Sequence, residues 1–477
     1  MRILAFIIVL VFFPLLIFSQ NISGQWNGIL KVQNTQLRII YNILKTDSGY
    51  TATMDSPDQN AKGLPIGETT FKDNELFLNA ISMGFSYKGI VNTTMDTISG
   101  IFIQGSAKLD LILTRKEQEK EVISRPQDPT HFPYYQEDII FGNKKADIKL
   151  AGTLTLPKDK KANKIVILIS GSGPQNRNEE VATFNHRPFL VWSDWLTRQG
   201  IGVLRYDDRG VGKSTGNFDD ATSVDFADDT EAAVKYILSR NDLKDLSIGL
   251  MGHSEGGIIA SMVAVRNKKV NFIILLAGPG LPIDQLLIEQ IEDNGKLENV
   301  PDDILNLNIE TTKKMLNFLK EHKDINYIGW EFGKEDIEAG LQEILKTELD
   351  KYPKEALEGA SVEDIIKREV KMHSGKWFRF FATYDPADAL EKVTCHVLAI
   401  NGSLDCQVRC DSNLDAIKKA VEKADNKHFE TFTMEGLNHI LQKAKTGSIS
   451  EYGKISETVN IKALTKVSEW INKLKLN

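Results

Sequence analysis

Five short runs between Lys164 and Gly402 are apolar for nearly their whole length: KIVILIS, IGVLRY, SIGLMG, NFIILLAG and HVLAING. A strand with one wet face alternates apolar and polar residues, whereas a strand that is apolar throughout must be covered on both faces. Amphipathic stretches separate most of the runs. DFADDTEAAVKYILSR places Phe226, Ala233, Val234, Ile237 and Leu238 on one helical face. Such alternation implies an α/β architecture: a mostly parallel sheet covered by helices. It is interrupted once, over residues 281–390, where stretches such as ILNLNIETTKKMLNFLKEH carry helical spacing and read as a helical insertion. The insertion's aromatics, Trp330, Trp377, Phe378, Phe380 and Phe381, are candidates for a pocket lining or for ordinary core.

At 477 residues the chain is too long for one compact core. Residues 21–116 have a different texture, with QLRIIYNIL, ELFLNA, FSYKGIV and LDLILTR as short strands broken by Gly, Asp and Asn. They predict a small antiparallel β domain, barrel or sandwich. Gly24-Gln25-Trp26 opens its first strand and Arg115 ends its last. That arrangement resembles the lipocalin type, in which a tryptophan packs beneath an arginine from the final strand, and Trp26 reads as a core plug. Residues 117–137 are charged and punctuated by proline, which predicts a linker, and residues 138–477 form the α/β domain.

The first twenty residues, MRILAFIIVLVFFPLLIFSQ, hold one arginine before an apolar run from Ile3 to Phe18. They are expected to be a secretory signal peptide cleaved near Ser19 or Gln20, making the chain periplasmic or secreted, with a retained anchor as the alternative. After its removal no membrane association is expected. The net charge of −7 is spread without a basic tract, which excludes a nucleic-acid partner. Three cysteines, Cys395, Cys406 and Cys410, permit one disulfide, locally between Cys406 and Cys410, or none. No Cys/His spacing suits a metal, and the oligomeric state is not legible.

Chemistry is concentrated in GHSEG, where Ser254 lies between Gly252 and Gly256, after an apolar run and before a helical pattern. A serine hydroxyl needs a base within hydrogen-bond reach and donors for the oxyanion it creates. A sharp strand-to-helix turn supplies the exposure and the N–H groups, and it demands small residues two before and two after the serine. GHSEG meets this nucleophile-elbow pattern. The elbow predicts an acid after a later strand and a histidine after the last one. Asp405 follows HVLAI and His439 follows HFETFTM, so Ser254, Asp405 and His439 are the candidate triad. Asp388 competes with Asp405 but precedes its strand. The oxyanion donors are expected to be the backbone N–H groups of Glu255 and of Ser172, with Gly173 as the near alternative to Ser172. Glu255 then acts through its backbone, with its carboxylate pointing away in the first helical turn.

GSGPQNR, YDDRGVGKS, GHSEGG, NGSLDCQV and GLNH together resemble the α/β-hydrolase superfamily, in the branch of bacterial esterases grouped with serine-aminopeptidase-like and monoacylglycerol-lipase-like hydrolases. The resemblance covers residues 138–477 and implies a carboxylic-ester hydrolase with a small-molecule ester substrate and no cofactor. One departure stands out: the His-Gly usual in the oxyanion loop is Ser170-Gly171 here. A serine peptidase for short peptides and a non-catalytic binding protein on the same fold are the alternatives. The insertion, lying beyond a strand's C-terminal end, is expected to act as a lid that governs substrate size more than chemistry. GVGKS tempts a P-loop reading, but the glycine a P-loop requires is Asp207 here. Asp208 and Arg209 are expected to shape that loop, with Arg177 a minor candidate for an anionic substrate.

Overall fold

The computed structural model describes residues 21–476 apart from 33–34, 60, 81–82, 105–106, 119–123, 323–333 and 358–360. The expected signal peptide and Trp330 lie outside the described residues. Near Lys120 the chain divides into two compact units.

The first unit is one antiparallel sheet. Its strands are β1 (Gly24–Val32), β2 (Thr35–Thr46), β3 (Gly49–Ser56), β4 (Ala61–Pro65), β5 (Glu68–Lys72), β6 (Glu75–Ala80), β7 (Phe85–Val91), β8 (Thr97–Gln104) and β9 (Ala107–Thr114). They are ordered β4-β3-β2-β1-β9-β8-β7-β6-β5, an open, half-barrel sheet rather than a closed barrel or a sandwich of two sheets. Asp73 and Asn74 both adopt positive φ between β5 and β6, the tight turn that suits a twisted hairpin. Burial alternates along β6 and β7, as expected for a sheet with one face on a core. Trp26 is fully buried in that core, and the Arg115 guanidinium stacks 3.7 Å from its ring centroid. The Trp–Arg pairing read from the sequence is present.

The second unit contains eight strands among the described residues: β10 (Tyr135–Asn143), β11 (Ile148–Leu156), β12 (Lys164–Ile169), β13 (Gly202–Tyr206), β14 (Ser247–His253), β15 (Val270–Leu276), β16 (His396–Gly402) and β17 (Phe429–Met434). Their order is β10-β11-β13-β12-β14-β15-β16-β17, and β11 alone runs against the others. Helices α1 (Pro188–Arg198), α2 (Ser223–Ser239), α3 (Glu255–Arg266), α10 (Cys410–Lys423) and α11 (Ile461–Lys473) cover it. The continuous apolar runs are explained by β12. Ile165, Ile167 and Ile169 enter the core shared with α2 and α3, while Val166 and Leu168 enter the core shared with α1 and α11. All three cysteines are free thiols. Among the described residues no helix is long and apolar enough to cross a membrane.

Part of the expected linker belongs to this unit. Arg125 is buried and donates to the carbonyls of Phe184, Tyr452 and Ile455, and Gln127 donates to Val459 O at 2.7 Å. β10 also begins within the stretch expected to be a linker. Between β15 and β16 lie α4 (Ile283–Leu297), α5 (Asp302–Glu321), α6 (Lys334–Leu349), α7 (Val362–His373), α8 (Lys376–Ala382) and α9 (Ala387–Leu390). Helices α5 to α7 share a core of their own built on Met315, Ile337, Leu341 and Ile366. Phe380 and Phe381 of α8 pack with Ile283 and Leu286 of α4 against Ile258 of α3.

Candidate active site

Ser254 links β14 to α3 at φ 52° and ψ −123°. Side chains with a β-carbon avoid this region, at a cost of about 1–3 kcal/mol, unless their surroundings enforce it. Here Ser254 N donates to Leu276 O at 2.9 Å, and Gly257 N donates to Ser254 O at 2.9 Å. The flanking glycines are sterically required. A β-carbon on Gly252 would lie 1.9 Å from Gly256 O, and one on Gly256 would lie 2.3 Å from Ile169 O. Gly252→Ala is therefore expected to cost about 3 kcal/mol, the upper part of the range for overpacking. Gly142→Ala, whose methyl would meet nothing nearer than 3.9 Å, should stay within about 0.5 kcal/mol. Urea denaturation of both variants checks this, and equal midpoints would sink it.

The loops after β16 and β17 bring Asp405 and His439 together. Asp405 Oδ2 lies 2.8 Å from His439 Nδ1, and both residues are buried. Asp405 Oδ1 accepts the N–H groups of Gln407 at 2.8 Å and Val408 at 2.9 Å. The carboxylate is thereby held with one oxygen left for the imidazole. A donor at Nδ1 leaves Nε2 able to accept a proton. Asp388 belongs to α9, so the competition between the two acids resolves to Asp405 as the partner of His439. Among the described residues no hydrogen bond joins the Ser254 hydroxyl to the His439 ring; such bonds commonly tighten only around substrate.

His253, the residue before Ser254, ties these parts together. Its Nδ1 lies 2.9 Å from Glu179 Oε1, its Nε2 lies 3.2 Å from His439 O, and its ring centroid is 4.8 Å from that of His439. Burial alone would lower its pKa, but the Glu179 carboxylate, the His439 carbonyl and Asp405 together raise it. Both ring nitrogens thus face acceptors, the Glu179 carboxylate and the backbone carbonyl of the candidate base.

The loop that follows β12 is suspended from carboxylates. Ser170 Oγ donates to Asp208 Oδ1 at 2.9 Å, Gly171 N to Glu179 Oε1 at 2.9 Å, Ser172 Oγ to Glu255 Oε2 at 2.8 Å, and Gln175 N to Asp208 Oδ2 at 2.9 Å. Burial pushes Asp208 up to about 8. Asp208 thus anchors this loop, while Arg209 pairs with Asp229 at 2.7 Å. Gly171 N–H is committed, and Pro174 has none. Among the described residues the N–H groups of Ser172 and Gly173 have no hydrogen-bond partner. Glu255 opens α3, where an N–H has no acceptor inside the helix. Arg177 is occupied by Asp207 at 2.7 Å rather than open to an anionic substrate.

One expectation is overturned. The Glu255 carboxylate does not point away from the loop that follows β12: Glu255 is 1% exposed and bonds Ser172 of that loop. It accepts from Ser223 Oγ at 2.6 Å and Ser172 Oγ at 2.8 Å, and from Trp377 Nε1 at 3.0 and 3.2 Å. Burial raises its pKa, and these hydrogen bonds offset part of the rise. A helical first turn is only a local environment; here α2, α8 and the loop after β12 close over it.

Residues 186–303, a span that includes the elbow, match the family described as serine aminopeptidase, S33. The chain is similar to Esterase EstD of Thermotoga maritima, with 24% identity over 328 residues, 68% of this chain and 66% of that protein's length. Among solved structures, the Pyrococcus furiosus esterase Pf2001 shares 15% identity at a TM-score of 0.40, covering 72% of this chain and 93% of that one. Est1E from Butyrivibrio proteoclasticus, with ferulic acid bound, shares 16% at a TM-score of 0.40, covering 70% and 98%. Eight strands in the order β10-β11-β13-β12-β14-β15-β16-β17, one of them antiparallel, with a strained serine at the head of α3, give the second unit the sheet order and serine turn of the α/β-hydrolase fold.

Proposed function

We propose that the chain hydrolyses carboxylic esters through an acyl-enzyme on Ser254. The observation that carries this reading is the 2.8 Å Asp405–His439 pair, whose backbone is bonded to the residue preceding the serine elbow. His439 Nε2 takes the Ser254 proton as Oγ attacks the ester carbonyl. Asp405 holds the imidazole and stabilises its charged form. The N–H groups of Glu255 and Ser172, or Gly173 in place of Ser172, receive the oxyanion. His439 then passes the proton to the leaving alcohol, and water repeats the sequence on the acyl-enzyme. No cofactor enters this scheme. The relative named Esterase EstD supports an ester substrate.

The family description, serine aminopeptidase, favours a second reading, cleavage of short peptides by the same groups. Only the pockets for the acyl and leaving groups separate the two. A panel pairing p-nitrophenyl esters of graded chain length with aminoacyl-naphthylamides tests them. Turnover of the esters with little release of naphthylamine is expected. The converse would move the chain to the peptidases, and no turnover of either with no labelling of Ser254 would leave a binding protein.

A further inference from the structure

We infer that Glu255 and Trp377 are positioning residues, a hydrogen-bonded relay that ties helix α8 of the insertion to Ser172 of the oxyanion loop. The inference rests on the hydrolase reading and deepens it: the insertion governs the rate of acyl transfer, and not only the size of the substrate admitted.

Glu255 is 1% exposed, and among the described residues no basic side chain pairs with it. A buried carboxylate in that state depends wholly on its hydrogen bonds. All its donors are neutral and come from three separate elements. Ser223 Oγ of α2 bonds Oε1 at 2.6 Å, and Ser172 Oγ bonds Oε2 at 2.8 Å. Trp377 Nε1 lies between the two oxygens, at 3.0 Å and 3.2 Å. Bonds sharing one buried acceptor are coupled, so displacing the indole changes the hold on Ser172.

Both ends of the relay are placed to matter. The loop is fixed at Gly171 by Glu179 and at Gln175 by Asp208, and Ser172 Oγ is the tie between them. That tie sits at one of the two residues whose N–H groups have no partner among the described residues, next to the other, Gly173, at φ 92°. At the other end, the Trp377 ring stacks on Phe381, with centroids 5.0 Å apart and planes 13° from parallel. Phe381 shares a buried cluster with Ile258 of α3 and Val408 of the Asp405 loop. A shift of α8 therefore reaches the oxyanion loop through one carboxylate.

The test uses the full chain and p-nitrophenyl acetate, an ester too short to probe pocket length. Trp377→Phe keeps the stack and removes the N–H donor; Ser172→Ala removes the hydroxyl and keeps the backbone N–H. Each should lower kcat roughly 10-fold to 100-fold with KM nearly unchanged, the scale of a slightly misplaced catalytic group. The double variant should lose little more than either single one. Glu255→Ala should lose at least as much, and Glu255→Gln should recover part of it, because an amide can still bond both serines. If Glu255→Ala fails to fold, the two single-donor variants carry the test alone. Unchanged kcat with altered KM, or losses in Trp377→Phe and Ser172→Ala that multiply independently, would overturn the relay. The wild-type chain separates the two levels: if it neither cleaves the ester nor takes a fluorophosphonate at Ser254, the hydrolase reading itself fails.

Discussion

Ser254→Ala is expected to lower kcat by roughly 10³-fold or more while leaving the fold intact. The retained stability follows from the elbow. Alanine carries the same β-carbon, so it meets the same φ of 52° and the same glycine-lined space as serine does. The lost activity follows from the chemistry, since alanine has no hydroxyl to attack the carbonyl. A fluorophosphonate should label the native chain at Ser254 only, and mass mapping of the labelled peptide checks the position. Labelling that survives the substitution, or turnover within tenfold of native, would remove Ser254 from the mechanism.

Asp405→Asn should lower kcat by roughly 10³- to 10⁴-fold, again without unfolding. The amide oxygen can keep the bonds that Oδ1 accepts from Gln407 N and Val408 N. The amide NH₂ then faces His439 Nδ1, where Oδ2 now lies at 2.8 Å. A donor there forces Nδ1 to accept and puts the ring proton on Nε2, so the ring can no longer take the serine proton. Asp388→Asn is the comparison, because Asp388 competes with Asp405 in the sequence but sits in α9. It should stay within roughly tenfold of native, about 1.4 kcal/mol in the barrier. Equal losses in the two variants would contradict the assignment of Asp405.

The groups that were legible in the chain are those whose placement follows from their own neighbours. Gly252, Ser254 and Gly256 declare an elbow because the clash distances act within a few residues. Asp405 and His439 each follow a strand directly, so strand order alone brings their loops to one end of the sheet. Trp26 and Arg115 were legible by the same logic, as β1 pairs with β9. Strand β10 was harder, because its charged residues and the prolines before it read as linker. Its burial alternates, and only its inner side chains report the core.

What the sequence by itself determined is the winding of the second unit, the serine turn and the chain order of Ser254, Asp405 and His439, because periodicity and glycine spacing act locally. What only the tertiary structure decided is how the site is braced. Glu179 reaches His253 across 74 residues, and Trp377 reaches Glu255 across 122. Neither pairing leaves a local signature, since a histidine beside a serine and a glutamate in a helical first turn look the same whether wet or buried. The difference is made by desolvation. Once α2, α8 and the loop after β12 exclude water from Glu255, its carboxylate must take its hydrogen bonds from whichever distant donors the fold delivers.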